Sequence, residues 1–157
     1  MVEGEHARTP DGGTVGSTVG AAAVRNATGV SAHQLGELTR LLDLVIGPRP
    51  NYPRYGAAAV RAVRAVMLLR ECKVPLEDAA RAVRTSGLGA TGAPTGFCLL
   101  APPVGGDGAW SVAWVASAAD VVGWVERSSG ALVAVASAAV QAHARAAWAA
   151  AAISSAD

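Results

Sequence analysis

The chain has 157 residues, 52% hydrophobic and 16% charged, with a formal net charge of +1. That is about one domain on the usual length prior, too apolar to be wholly disordered and too short for a full dinucleotide-binding fold. Only two cysteines, Cys72 and Cys98, argue against a disulfide framework or cysteine-rich zinc site, and the longest uncharged run, Thr85 to Gly106, holds three prolines and six glycines, which excludes a membrane helix there.

Residues 1–17 are rich in Gly and Thr, carry the turn Pro10-Asp11-Gly12-Gly13 and read as a mobile arm. Their start, Met1-Val2-Glu3-Gly4-Glu5, is acidic where a secretory leader is basic, so a cytoplasmic location is expected. From Thr18, Val19, Ala22, Ala23 and Asn26 fall at helical spacing up to Gly29. Ser31 then stands as the N-cap of a second helix, Ala32 to about Leu42, with Leu35, Leu38 and Leu42 on one face. Two short helices joined by Ala27-Thr28-Gly29-Val30-Ser31 predict a helix-turn-helix, Gly29 supplying the tight turn. Leu44-Val45-Ile46, a Gly/Pro/Asn turn over residues 47–51, and Tyr52-Pro53-Arg54-Tyr55 predict a short hairpin. A third helix runs from about Ala57 to Glu71, with Val60, Val63 and Met67 inward and Arg61 and Arg64 exposed. Pro75 opens a fourth, Leu76 to about Arg84.

Residues 87–95 form a Gly-rich linker. Beyond it, residues 96–157 predict a small module in the order ββαβα. Its strands are Gly96–Ala101, Trp110–Trp114 and Ala131–Val135, and Ser117 and Ser137 open its two helices. The predicted fold class is α+β: an N-terminal unit over 18–86 with four helices and a hairpin wing, then the C-terminal module. Four tryptophans, Trp110, Trp114, Trp124 and Trp148, lie in that module, where they either fill the core or line an effector pocket.

Division of the charge is more informative than its sum. Residues 1–23 carry −2, residues 24–86 carry ten basic and five acidic groups for +5, and residues 87–157 carry −2. A basic middle between acidic flanks predicts one module that meets a polyanion.

Ala23-Val24-Arg25-Asn26-Ala27-Thr28-Gly29-Val30-Ser31, then Leu35, an apolar strand, Tyr52-Pro53-Arg54-Tyr55, an arginine-rich helix and Pro75-Leu76-Glu77-Asp78 together resemble the MerR-type winged-helix DNA-binding domain. The resemblance covers about residues 18–86. It implies a winged helix-turn-helix and a bacterial, sequence-specific transcription regulator acting on double-stranded DNA, with the 31–42 helix in the major groove and the 47–54 wing on flanking phosphate. The family's metal-sensing cysteines and its long dimerisation helix have no counterpart here, so neither is carried over.

On this reading Arg49 and Arg54 contact phosphate, as guanidinium groups in a wing do, and otherwise are solvated loop residues. Tyr52 and Tyr55 offer hydroxyls to phosphate or pack the wing onto the third helix. His33 and Gln34 face base edges or are ordinary helix surface, and Ser31 caps the helix or touches phosphate. Arg61 and Arg64 bind backbone or are solvated. Two other functions stay open: an excisionase-like architectural factor that bends DNA, and a protein-interaction module without DNA binding. Gly87-Leu88-Gly89-Ala90-Thr91-Gly92 neither follows a strand nor opens a helix, no P-loop lysine exists, and no catalytic constellation stands out, so the expectation is a non-enzyme without metal or cofactor. A homodimer is expected through the C-terminal module, with Ala144, Ala147 and Trp148 of the last helix as the pairing face.

Overall fold

The structure, a computed structural model, describes residues 17–44, 47, 51–127 and 132–155. Within them the chain is α+β, with six helices and two small antiparallel sheets. In chain order the elements are β1 (Thr18–Gly20), α1 (Ala21–Thr28), α2 (Ala32–Leu41), β2 (Arg54–Gly56), α3 (Ala57–Glu71), α4 (Leu76–Ser86), β3 (Phe97–Ala101), β4 (Ser111–Val115), α5 (Ala118–Arg127), β5 (Val133–Ala136) and α6 (Ser137–Ser155).

β1 and β2 pair in the register Thr18↔Gly56, Val19↔Tyr55, Gly20↔Arg54. Val19 and Tyr55 are both buried, and the glycine after each is the extended residue from which α1 or α3 starts. One sequence expectation is corrected at this ladder. The spacing from Thr18 predicts helix, but Thr18–Gly20 is strand, because extended backbone lets Val19 bury against Tyr55. β2 also pairs with β1, a partner the hairpin expectation did not include; most of the strand and turn that expectation named, Val45, Ile46 and residues 48–50, lies outside the described residues.

α1 ends at Gly29, whose φ of 78° is the left-handed conformation that lets its N–H reach the Arg25 carbonyl. Thr28 is buried beneath the turn; its hydroxyl donates to Val24 O at 2.7 Å and accepts from Val30 N. Val30, between the two helices, is buried. α2 follows at once and buries only Leu35 and Leu38.

α3 is the central helix. It packs against α1, α4 and α6, so Ala59, Val60, Val63, Ala65, Val66 and Leu69 are buried on more than one side. α6 lies across α1 and α3 with Val140, Ala144, Ala147, Trp148 and Ala151 turned inward. Four of them, Val140, Ala147, Trp148 and Ala151, belong to one hydrophobic core that also holds Val24, Leu38, Val60 and Leu100, and Ala144 is fully buried beside them. The stripe Ala144, Ala147, Trp148 is therefore packed inside the chain and is not a pairing face, which corrects that expectation.

The second sheet has the order β4-β3-β5, with Cys98 beside Trp114 and Val135, and Leu100 beside Val112 and Val133. All six of these side chains join or border the core, as period-two alternation requires of one sheet face. The 87–95 segment runs over α3: Leu88 is buried, and a β-carbon at Gly89 would come to 3.0 Å from that of Ala65. α4 is tied to the sheet by Asp78 and Arg81, which bond to the backbone of Trp110 just before β4.

Candidate nucleic-acid interface

The residues singled out by sequence separate into three groups. The first surrounds the start of α2. Ser31 caps the helix: its hydroxyl accepts the Gln34 N–H at 3.1 Å, and the Gln34 side-chain oxygen accepts the Ser31 N–H at 3.1 Å. This reciprocal box satisfies two otherwise orphaned donors and fixes where α2 begins. It also turns the Gln34 side-chain oxygen back onto the cap and away from an outside partner. His33 is well exposed, with Nε2 3.8 Å from the Glu37 carboxylate one turn on.

The second group is at β2. Tyr52 is 74% exposed and Tyr55 is buried, so of the two tyrosines only Tyr52 offers its side chain to solvent. Arg54 is exposed and crosses to β1, where Nη2 donates to Thr18 O at 2.8 Å and Nε to Thr18 Oγ1 at 3.2 Å. One edge of the guanidinium is fixed on the strand. Arg49 lies outside the described residues.

The third group leaves the surface. Arg61 and Arg64 read as the exposed side of the third helix, yet Arg61 is 3% exposed and its Nη1 donates to Thr91 Oγ1. The 87–95 segment covers that side of α3, which corrects the reading. Arg64 is half-buried and pairs with Glu71 at 3.6 Å. Neither is placed as an open phosphate contact.

Of the exposed cations that sequence did not single out, Arg40 is the one on α2. Arg40 lies on the same face of α2 as His33, with Gly36 between them, opposite Leu35 and Leu38. The i, i+3, i+7 spacing of His33, Gly36 and Arg40 was there to be read, since a helix that buries 35 and 38 must expose 33, 36 and 40.

The tryptophans do not gather around one cavity. Trp148 is buried in the core, Trp110 and Trp114 pack against it, and Trp124 is at the surface, with the Arg127 guanidinium 5.9 Å from its ring centre. Both cysteines are free, Cys72 exposed and Cys98 buried. Burial pushes the Cys98 thiol up to about 11, and a hydrogen bond with the Ser86 side chain offsets part of that rise. Among the described residues no helix is long and apolar enough to cross a membrane, and no group of three His, Cys, Asp or Glu side chains is placed to hold a metal ion.

No protein-family model matches the chain, and the comparison with curated proteins finds no match.

Proposed function

We propose that this protein binds double-stranded DNA as a bacterial transcription regulator of the MerR-like winged-helix kind, in the cytoplasm and as a homodimer on a two-fold site, and that it has no catalytic activity. In this reading α2 enters the major groove and β2, with Arg54 and Tyr52, lies against phosphate. The observation that carries it is the α1–Gly29–α2 arrangement: a helix that follows a tight glycine turn, is locked by a capping box, and leaves His33, Gly36 and Arg40 facing outward. The +5 charge of residues 24–86 supports a polyanionic partner.

One observation favours the rival reading of a protein-interaction module. Arg61, Arg64 and Arg81 are engaged with neighbours inside the chain, which leaves less of that charge for phosphate. Fluorescence anisotropy with a random-sequence duplex, repeated over a salt series, separates the two. The DNA reading expects binding whose log–log salt dependence falls with a slope of several units. No binding at low salt at any protein concentration leaves the interaction module as the better account. Bending of the duplex by the free protein would move the assignment to the excisionase-like architectural class.

A further inference from the structure

α2 carries a glycine that neither its backbone conformation nor the packing around it requires. Gly36 stands in the middle of the solvent-facing arc of the helix, one turn after Ala32 and one turn before Arg40, with His33 on the same arc. It is not in the left-handed region, and a β-carbon built on it would meet nothing within 4 Å. The other glycine inside a described helix, Gly123, lies under the Arg127 guanidinium, 3.2 Å from where its β-carbon would be. Gly29 and Gly87 take left-handed backbone at helix ends, and Gly96 would drive a β-carbon to 2.2 Å from Val115 O. Gly36 has neither reason. A glycine in a helix interior weakens the helix relative to alanine, so its presence at an open position points outward.

Resting on the DNA-binding reading above, we infer that Gly36 is the closest-approach point of α2 in the major groove, and that His33 and Arg40, on either side of it, are the residues that read base edges. A side chain at the centre of the arc would hold the helix off the floor of the groove. Without one, the short imidazole of His33 reaches a base edge, and the Arg40 guanidinium can fork onto O6 and N7 of a guanine. Gln34 would be the natural adenine reader by residue type, but its side-chain oxygen is held in the capping box. The occupant is a duplex and not an apolar partner because the arc presents His33, with Glu37 beside it, and Arg40, has no apolar side chain larger than Ala32, and belongs to the +5 segment.

The test uses the full chain and the variants Gly36→Ala, Gly36→Leu and Arg40→Ala. A duplex pool is enriched on the wild type, and affinities for the enriched and a random duplex are measured at one salt concentration, together with the Tm of each protein. Gly36→Ala is expected to raise Tm and yet weaken binding to the enriched duplex by about tenfold, as much as a mismatched base pair does, with random duplex bound within about twofold. Gly36→Leu is expected to lose the preference for the enriched duplex. Arg40→Ala is expected to relax selection at one guanine position when the enrichment is repeated. Gly36 variants that bind the enriched duplex as tightly as wild type overturn the inference while leaving DNA binding intact. Binding with no enrichment overturns base reading by His33 and Arg40. A wild type that binds no duplex sinks the DNA reading itself, and this inference with it.

Discussion

Asp78 and Arg81, one turn apart on α4, pair at 2.8 Å and between them take both backbone groups of Trp110. Asp78 Oδ1 accepts the Trp110 N–H at 3.0 Å, and Arg81 Nη2 donates to its carbonyl at 2.7 Å. The pair stands where a neighbouring strand would and pins the approach to β4. The carboxylate is well shielded and the guanidinium partly exposed, so the two deletions are unequal. Asp78→Ala strands a peptide N–H and a cation and is expected to cost about 1–3 kcal/mol. Arg81→Ala is expected to cost about 1 kcal/mol, and the double variant less than the two together. Urea unfolding of the four proteins measures this; strictly additive costs would show that the clamp does not act as a unit.

The capping box at α2 gives a second expectation. Ser31→Ala removes the acceptor for the Gln34 N–H and should cost about 1 kcal/mol, whereas Ser31→Asp should restore most of it. Gly29→Ala forces a β-carbon into left-handed backbone and should cost about 1–2 kcal/mol. A Gly29→Ala protein as stable as wild type would mean that this turn has another low-energy form.

Arg54→Ala tests the strand ladder as a phosphate contact. The residue is exposed, so loss of its bonds to Thr18 should change stability by less than about 1 kcal/mol. Affinity for all duplexes should fall alike, and the salt slope should flatten by about one unit for the lost contact. An unchanged slope with altered sequence preference would remove Arg54 from the phosphate role.

Trp148 fills the core where α6 meets α1 and α3. Trp148→Ala is expected to cost about 3–5 kcal/mol through the cavity it leaves. Trp148→Phe should cost well under half of that, because the indole N–H has no hydrogen-bond partner among the described residues. A fragment of residues 18–95, which lacks α6, should unfold broadly and at much lower temperature than the whole chain. A fragment that melts as sharply and as high as the full protein would show that the N-terminal helices need no help from α6.

Cys98 predicts an alkaline limb of instability. Its folded pKa, about 11, is raised above the ordinary value of 9.0, so the folded chain holds that proton where the unfolded chain loses it. Stability from this group is complete below pH 9 and is lost as pH rises from 9 to 11, by at most about 2–3 kcal/mol. Cys98→Val should flatten the decline between pH 9 and 11 relative to wild type. Parallel pH profiles of the two proteins would assign the decline to other groups.

Local signals carried most of the element boundaries into the sequence reading. Ser31 as an N-cap needs nothing beyond the first turn of its own helix, and Gly29 and Pro75 act on their own turns, whereas the return bond from Gln34 was not foreseen. The ββαβα order after residue 96 was likewise legible from alternation and turn residues. Non-local decisions were not. Thr18–Gly20 is strand only because Tyr55, thirty-six residues beyond Val19, pairs with it. Arg61 looks exposed from helix three alone and is covered by Leu88–Thr91, a segment whose glycines read as a linker. Nor did the stripe on α6 reveal in its own spacing that it faces this chain and not a second copy.

The β1–β2 ladder is three residue pairs long, and each strand runs without a linker into a helix. Because the strands are antiparallel, α1 leaves from the end beside Arg54 and α3 from the end beside Thr18. A pull on the Arg54 guanidinium is passed to Thr18 by two hydrogen bonds and arrives at the first residue of α1 within one more strand length. The ladder is thus a shared footing for two helices: a slip of one residue in its register would turn Val19 and Tyr55 out of the core and displace the starts of α1 and α3 together.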